Sequence, residues 1–225
     1  MISVVIPAYN EERALPETLE RLLPQATDHQ VIVVDGGSAD ATVRIASSNP
    51  GVEVLQAPRG RASQMNAGAH KARGEWLLFL HADTLIPAEA LSRIAALPAG
   101  IQAGGFRHRF SGRGFGLWFI SLADNIRCFR SRIIFGDQAL FVRRALFSKL
   151  GGFPDVERME DVRFCQKLVE QTKPVLLDQA VVTDSRKFVQ HGVMRSLTRV
   201  VIILVCVSLG LRLPGDSLRF FEDVR

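Results

Sequence analysis

Between Glu75 and Thr84 the chain reads Glu-Trp-Leu-Leu-Phe-Leu-His-Ala-Asp-Thr, and its apolar run, Trp76 to Leu80, stops abruptly at His81, Ala82 and Asp83. A short, unbroken apolar run suits a strand buried on both faces, as in the middle of a parallel sheet. Packing does not require such a strand to end in His-x-Asp. Open α/β sheets, however, bind ligands at the carboxyl ends of their strands. On an extended backbone His81 and Asp83 would point to the same side. They could share a hard divalent cation, or one could hold the cation while the other hydrogen-bonds a ligand. The alternative is that Asp83 caps a helix starting near Pro87 and that His81 merely packs.

The same grammar recurs along the first ~100 residues. Residues 2–6 read as a buried strand ending in Pro7-Ala-Tyr-Asn-Glu-Glu12, followed by an amphipathic helix with Leu15, Leu19, Leu22 and Leu23 on one face. Residues 31–34 form a second strand ending in Asp35-Gly-Gly-Ser-Ala-Asp40, with Ser38 expected to cap the helix through Val43, Ile45 and Ala46. Residues 52–56 form a third strand, and Arg59-Gly-Arg61 leads into a helix through Met65, Ala69 and Ala72. Alternating strands and helices predict an α/β fold with a doubly wound, mostly parallel, Rossmann-like sheet. Each strand end carries polar groups: Asn10 and Glu11, Asp35 and Asp40, Arg59 and Arg61, His81 and Asp83. Capping explains any one of these; four in succession point to a site.

The loops exclude two familiar phosphate binders. No G-x-G-x-x-G follows the first strand, which argues against a dinucleotide oxidoreductase, and no Gly-Lys-Ser/Thr follows Asp35-Gly-Gly-Ser. Carboxylates do not bind phosphate directly; they bind ribose hydroxyls, base edges, or a metal that carries the phosphate.

A chain of 225 residues with 47% hydrophobic content is sufficient for one domain with a substantial core. Its division is expected at about residue 100, with a ligand-binding half before it and a second half in 101–225. The net charge of +5 includes no arm of consecutive Lys or Arg, so nucleic acid is not an expected partner. Cys128, Cys165 and Cys206 lie far apart without metal-ligand spacing and read as buried thiols in a reducing cytoplasm. The first residues enter a strand directly, with no basic region leading a longer apolar core, so no signal peptide is expected.

The second half is less regular. Residues 103–110 suggest a strand, and 111–132, with Gly112, Gly114 and Gly116 among aromatics, a loop with a helical piece. Residues 135–142 read as a turn into a strand, 143–150 as a short helix stopped by Gly151-Gly152, and Met159-Glu-Asp161 opens another helix. Acids there also suit the helix dipole without further role. One or two short strands are expected in 173–182 and a terminal helix in 189–211. Within that helix residues 200–211 are almost wholly apolar, bracketed by Arg195, Arg199 and Arg212. This run is too short to span a bilayer, which needs ~20 residues. It could lie in the core, in a homodimer contact, or on a membrane surface.

The ordered motifs Val4-Val-Ile-Pro-Ala-Tyr-Asn-Glu-Glu12, Val33-Val-Asp-Gly-Gly-Ser-Ala-Asp-Ala-Thr42, Gly60 to Gly68, Phe79-Leu-His-Ala-Asp83, Gly136-Asp-Gln138, Gly151-Gly-Phe153 and Glu160-Asp161 resemble the family 2 glycosyltransferases, which have the GT-A fold. The resemblance covers roughly residues 2 to 165. The family usually has Asp-x-Asp where this chain has His81-Ala-Asp83, and a small subgroup with His-Ala-Asp-Thr looks closest.

The resemblance implies a role for each matching position. Pro7, Ala8, Tyr9 and Glu11 would line the nucleobase pocket, with Tyr9 able to stack on the base. Asp35 would hold the base or ribose, and Arg61 and Asn66 would lie near the base and diphosphate. His81, Ala82 and Asp83 would border the sugar nucleotide, with Asp83 on a Mn²⁺ or Mg²⁺ ion bridging the diphosphate. His191 would be a weaker candidate metal ligand. Asp161 would be the catalytic base and Glu160 its neighbour. The implied activity is inverting transfer from a nucleotide-diphosphate sugar, such as a UDP-sugar, to an acceptor hydroxyl that could be lipid-linked. The implied location is cytoplasmic, peripheral on the inner face of the membrane. The competing readings are a sugar-nucleotide-binding protein without transferase activity and a nucleotidyltransferase.

Overall fold

The structure, a computed structural model, describes residues 1–112, 114–156 and 159–185. Its frame is an eight-stranded sheet of order β3-β2-β1-β4-β7-β6-β8-β5. The strands are β1 (Ile2–Ala8), β2 (Gln30–Asp35), β3 (Val52–Gln56), β4 (Trp76–Phe79), β5 (Thr84–Leu85), β6 (Ala103–Phe110), β7 (Phe141–Arg143) and β8 (Val175–Thr183). The helices are α1 (Leu15–Leu22), α2 (Thr42–Ser47), α3 (Arg61–Lys71), α4 (Ala90–Ala95), α5 (Phe115–Ser131), α6 (Arg144–Lys149) and α7 (Glu160–Gln171). As the alternation predicts, β1 to β4 are mutually parallel. Beyond β4 the sheet becomes mixed. Antiparallel β7 is inserted between β4 and β6, β8 runs parallel to β6, and β5 pairs antiparallel with β8.

Every residue of β1, β2 and β4 is buried, and the pleat divides their side chains between two cores. Ile2, Val4, Ile6, Leu78 and Leu80 pack with Leu15 and Leu19 of α1 and Leu91 and Ile94 of α4. Val5, Ile32, Leu77 and Phe79 pack on the other side with Met65 of α3, Phe147 of α6 and Phe164 and Leu168 of α7. Phe79, Phe147, Phe153 and Phe164 form an aromatic cluster with ring centroids 4.8–5.2 Å apart. This geometry adds to the area that they bury. Cys128 and Cys165 are free and buried, as their isolation in the sequence predicts.

Helix α3 lies directly on the sheet at Gly68, where an added Cβ would stand 2.3 Å from Val5 Cγ1 and 3.0 Å from Val34 Cγ2. Gly68→Ala therefore sets two effects against each other. Helix propensity favours Ala by about 1 kcal/mol. Overpacking against two β-branched residues of buried strands costs about 1–3 kcal/mol. The overlap should win, lowering the melting temperature by several degrees; an unchanged or raised melting temperature would show that the interface relaxes freely.

Two local expectations are corrected, and one alternative falls. Ser38 does not cap α2, which starts at Thr42; its hydroxyl accepts from the Asn10 N–H at 2.8 Å, drawn there by the loop after β1. In residues 111–132, expected to be a loop with a helical piece, the helical piece is a 17-residue helix, α5, that takes up most of the segment. Asp83 does not cap the following helix, whose capping position is Glu89. The strand expected in 173–182 is a single one, β8, and the terminal helix expected in 189–211 lies outside the described residues.

Candidate active site

The carboxyl ends of β1, β2 and β4 open on one side of the sheet, and their loops interlock. Asn10 takes a left-handed φ of 53°, so that its Oδ1 accepts from the Ala39 N–H at 2.9 Å. Thr42 Oγ1 accepts from the Glu11 N–H at 2.7 Å, and Asp40 Oδ2 from the Glu12 N–H at 3.1 Å. Burial raises the Asp40 carboxyl, but hydrogen bonds from Thr42 and Glu12 outweigh this and hold it below the usual range. Asp35 is buried, its carboxylate accepting from the Gly37 and Ser38 N–H groups. Pro7 and Ala8 are buried at the end of β1, and Tyr9 follows them with the Arg59 guanidinium 4.1 Å above its ring.

Gln64 is a tie that sequence reasoning missed. It is buried in α3, donates to Ala8 O at 2.7 Å and Val34 O at 2.8 Å, and so locks the ends of β1 and β2 together. The available signal was a glutamine on the sheet-facing side of a helix. Asn66 also acts in the scaffold: its amide donates to Phe153 O at 2.8 Å and accepts from Phe153 N–H at 2.9 Å. This anchors the Gly152-Phe153 turn.

After β4 the chain is not extended. The Thr84 N–H bonds His81 O at 3.1 Å, so residues 81–84 form a turn and the expectation that His81 and Asp83 share one side by strand periodicity fails. The turn is held from two sides: Thr18 Oγ1 donates to Ala82 O at 2.7 Å, and the Asp184 N–H donates to Asp83 O at 3.2 Å. Ala82 is buried, while Asp83 is half-buried, its carboxylate touched by the Thr84 hydroxyl at 3.4 Å. Asp184, brought beside Asp83 by the β5–β8 pairing, was not foreseen.

The His81 ring instead reaches residue 136. A Cβ on Gly136 would lie 2.6 Å from His81 Nε2 and 3.3 Å from Asp161 Oδ2, so only glycine admits both groups here. The Gly136 N–H donates to Asp161 Oδ2 at 2.6 Å, and the Val162 N–H to Asp161 Oδ1 at 2.8 Å. Asp161 is half-buried in the first turn of α7, with Met159 before that helix at a left-handed φ of 63°. Such backbone is uncommon for a non-glycine residue and concentrates at functional sites. Glu160 is different: only 3% of its side chain is exposed, and Oε1 stands 3.1 Å from Arg61 Nε. Burial raises its carboxyl above the ordinary range; Arg61 opposes this and the neighbouring Asp161 adds to it. The accessible acid beside His81 is therefore Asp161, and the enclosed, countered acid is Glu160.

Asp137 lies in the same Gly-Asp-Gln turn, a motif of the resemblance in which the sequence reading assigns it no role of its own. One of its oxygens is enclosed without a partner, the other lies 3.7 Å from buried His108, and burial pushes its carboxyl upward.

A metal-binding role can be tested on the donor set. Among the described residues no cluster of three or more His, Cys, Asp or Glu could hold an ion by itself, and His191 lies outside them. Asp83 supplies one reachable carboxylate. This fits Mg²⁺ or Mn²⁺, which bind through one or two carboxylates while substrate phosphates and water complete the shell.

Acids and arginines at the carboxyl ends of a central parallel sheet, without a glycine-rich phosphate loop, define an α/β protein with a candidate site where open sheets of this kind bind ligands. The chain belongs to glycosyl transferase family 2, whose family model matches residues 3–146. A PGL/p-HBAD biosynthesis glycosyltransferase of Mycobacterium tuberculosis is 34% identical over 166 residues, covering 68% of this chain and 63% of the relative. An undecaprenyl-phosphate 4-deoxy-4-formamido-L-arabinose transferase of Proteus mirabilis is 32% identical over 120 residues, 48% of this chain and 37% of the relative. The chain thus spans less than two thirds of the length of these curated relatives. Among solved structures, Staphylococcus aureus TarS 1-349 superposes with a TM-score of 0.66 at 24% identity, covering 97% of this chain and 68% of that one. The mannosyltransferase PcManGT of Pyrobaculum calidifontis, in complex with GDP-Man and Mn²⁺, gives 0.62 at 23% identity, covering 80% and 56%. These likenesses show the GT-A fold.

Proposed function

We propose that this protein is an inverting glycosyltransferase that moves a sugar from a nucleotide-diphosphate sugar to an acceptor hydroxyl. The observation that carries the reading is Asp161. It is a reachable carboxylate fixed by the Gly136 N–H beside the His81 ring, while its neighbour Glu160 is enclosed and paired with Arg61 from the nucleotide side.

The donor's base lies among Pro7, Ala8, Tyr9 and Glu11, with Asp35 toward the base or ribose and Arg61 toward the diphosphate. The residues fit a division of labour at about residue 100, donor before it and acceptor after it. Asp161 takes the proton from the acceptor hydroxyl as that oxygen attacks the anomeric carbon, and the nucleoside diphosphate leaves from the opposite face. Positive charge develops on the sugar ring as the leaving bond stretches, as in glycoside hydrolysis. Asp83 would hold the divalent ion, which when bound offsets negative charge on the diphosphate as a Lewis acid. Arg61, half-exposed over Glu160, adds a fixed cation near the same charge.

TarS has been crystallised with UDP-GlcNAc and PcManGT with GDP-Man, which supports a nucleotide sugar as donor, with UDP the first base to try. The relative named for undecaprenyl-phosphate supports a lipid-linked acceptor. Binding without transfer is less favoured because Asp161 and Asp83 are both present and reachable. Nucleotidyl transfer would want a loop rich in glycine and basic residues after β1, where Pro7-Ala-Tyr-Asn-Glu-Glu12 stands. The test is release of nucleoside diphosphate from a panel of UDP- and GDP-sugars, with and without Mn²⁺, as slow hydrolysis or with added acceptors. Metal-stimulated release from one donor supports the reading; tight binding with no release under any condition favours the binding protein.

A further inference from the structure

Helix α5 has apolar side chains on both sides. Leu117, Ile120, Ser121 and Cys128 are buried toward β6, where Asn125 clamps the His108 backbone through bonds of 2.8 and 2.9 Å. Its other side carries Phe115, Trp118, Phe119, Leu122, Ile126 and Phe129, each 40–78% exposed. Their spacing of three, four and seven residues makes one continuous stripe. Apart from Met1 they are all the exposed large hydrophobic residues among those described, so they form one patch rather than a scatter.

The outward charges at the end of the helix have one sign. Arg130 is exposed at its end, and the Arg132 guanidinium sits 4.8 Å above the Phe129 ring. The only carboxylate in the helix, Asp124, is drawn inward by Arg127 at 2.8 Å and has 14% of its side chain exposed. An aromatic and aliphatic stripe with cations beside it and no outward carboxylate matches an anionic lipid surface: rings and Leu enter the headgroup boundary while guanidinium groups meet phosphates. A second copy fits less well, because a two-fold contact would set this face against itself with no carboxylate to receive the arginines. Among the described residues no helix is long and apolar enough to cross a membrane, so contact through this helix is lateral.

We infer that α5 is a membrane-docking helix, seating its aromatic stripe in the interface of a bilayer containing anionic lipid. The surface goes beyond the transfer reaction, since it would dock even if the acceptor were water-soluble. It also bears on the site. Arg127 of α5 donates to Ile133 O at 2.9 Å and Gln138 Oε1 at 3.3 Å, the segment whose Gly136 holds Asp161. Docking would set the acceptor side of the cleft at the bilayer.

The experiment uses the full chain with phosphatidylcholine vesicles, with and without phosphatidylglycerol, at low salt. Wild-type protein should sediment with the anionic vesicles, and brominated lipid should quench its tryptophan emission. Trp118→Phe should abolish the quenching, because the remaining Trp76 is only 3% exposed. Leu122→Asp with Ile126→Asp should weaken sedimentation at least ~10-fold, as two apolar side chains leave the interface, while melting temperature and UDP affinity stay unchanged. Several results overturn the inference. Wild type that fails to sediment, or a double variant that sediments like wild type, removes the lipid. A vesicle-free dimer dissociated by the double variant names a second copy as the occupant. A collapse in melting temperature shows that the stripe is covered by the protein's own chain.

Discussion

Asp161→Asn is expected to lose glycosyl transfer by ~10²–10⁴-fold, the usual scale of general-base catalysis, while nucleotide affinity stays within about twofold. The geometry permits this separation. An amide oxygen can still accept from the Gly136 or Val162 N–H, so the turn and the start of α7 should survive, but an amide cannot take a proton at neutral pH. Glu160→Gln is the matched control. It removes charge from the enclosed partner of Arg61 and should act mainly through donor affinity or stability. Single-turnover assays with saturating donor, alongside UDP calorimetry, separate these effects. If Glu160→Gln destroys turnover and Asp161→Asn does not, the roles of the two acids are reversed.

Asp83→Ala is expected to remove metal-dependent nucleotide binding without disturbing the fold. The bonds that shape the turn join backbone groups or Thr18 to backbone, and all survive the substitution. The side chain itself contributes one long contact with the Thr84 hydroxyl. Stability should therefore change by no more than about 0.5 kcal/mol. Affinity for UDP in the presence of Mn²⁺ should fall on the order of a hundredfold, at the upper end of what losing a group that merely supports a metal ligand costs. Affinity without metal should be unaffected. Equal affinity of variant and wild type for UDP with Mn²⁺ would remove Asp83 from the metal.

How far the sequence carried depended on the range of the interactions. Buried strands such as residues 31–34 and 76–80 are written as local apolar runs, so the parallel half and the side on which its loops open were legible. The conformation of those loops was less so. Ser38 has the chemistry of a cap, but the loop after β1 competes for its hydroxyl and wins. Helix α5 was obscured by its glycines and exposed rings; it is held by Asn125 on β6 and Arg127 on residues 133–138. At the site, the residue types at positions 81, 83, 160 and 161 stood out, but their partners did not. The proximity of His81 to Asp161 depends on Gly136, and the burial of Glu160 on Arg61, contacts that bridge the two halves of the chain.

The pairing of β5 with β8 has a consequence for the order of assembly. The backbone of Asp83 is completed by Asp184, and Thr84 pairs with Thr183, about a hundred residues later. The strands β1 to β4 can associate as soon as the first ~80 residues are available, whereas the turn carrying Asp83 waits for almost the whole described chain. Contacts of such sequence separation form slowly, because a long loop must close before they reward it. During synthesis, which proceeds from the amino terminus, the β1 to β4 scaffold would thus precede the completed turn at Asp83. Among the described residues β5 is the outermost strand beside β8, so fraying at that border would loosen the turn at Asp83 while β1 to β4 remain folded. Hydrogen exchange should find the amides of Thr84 and Asp184 opening well before those of Val5 and Ile32.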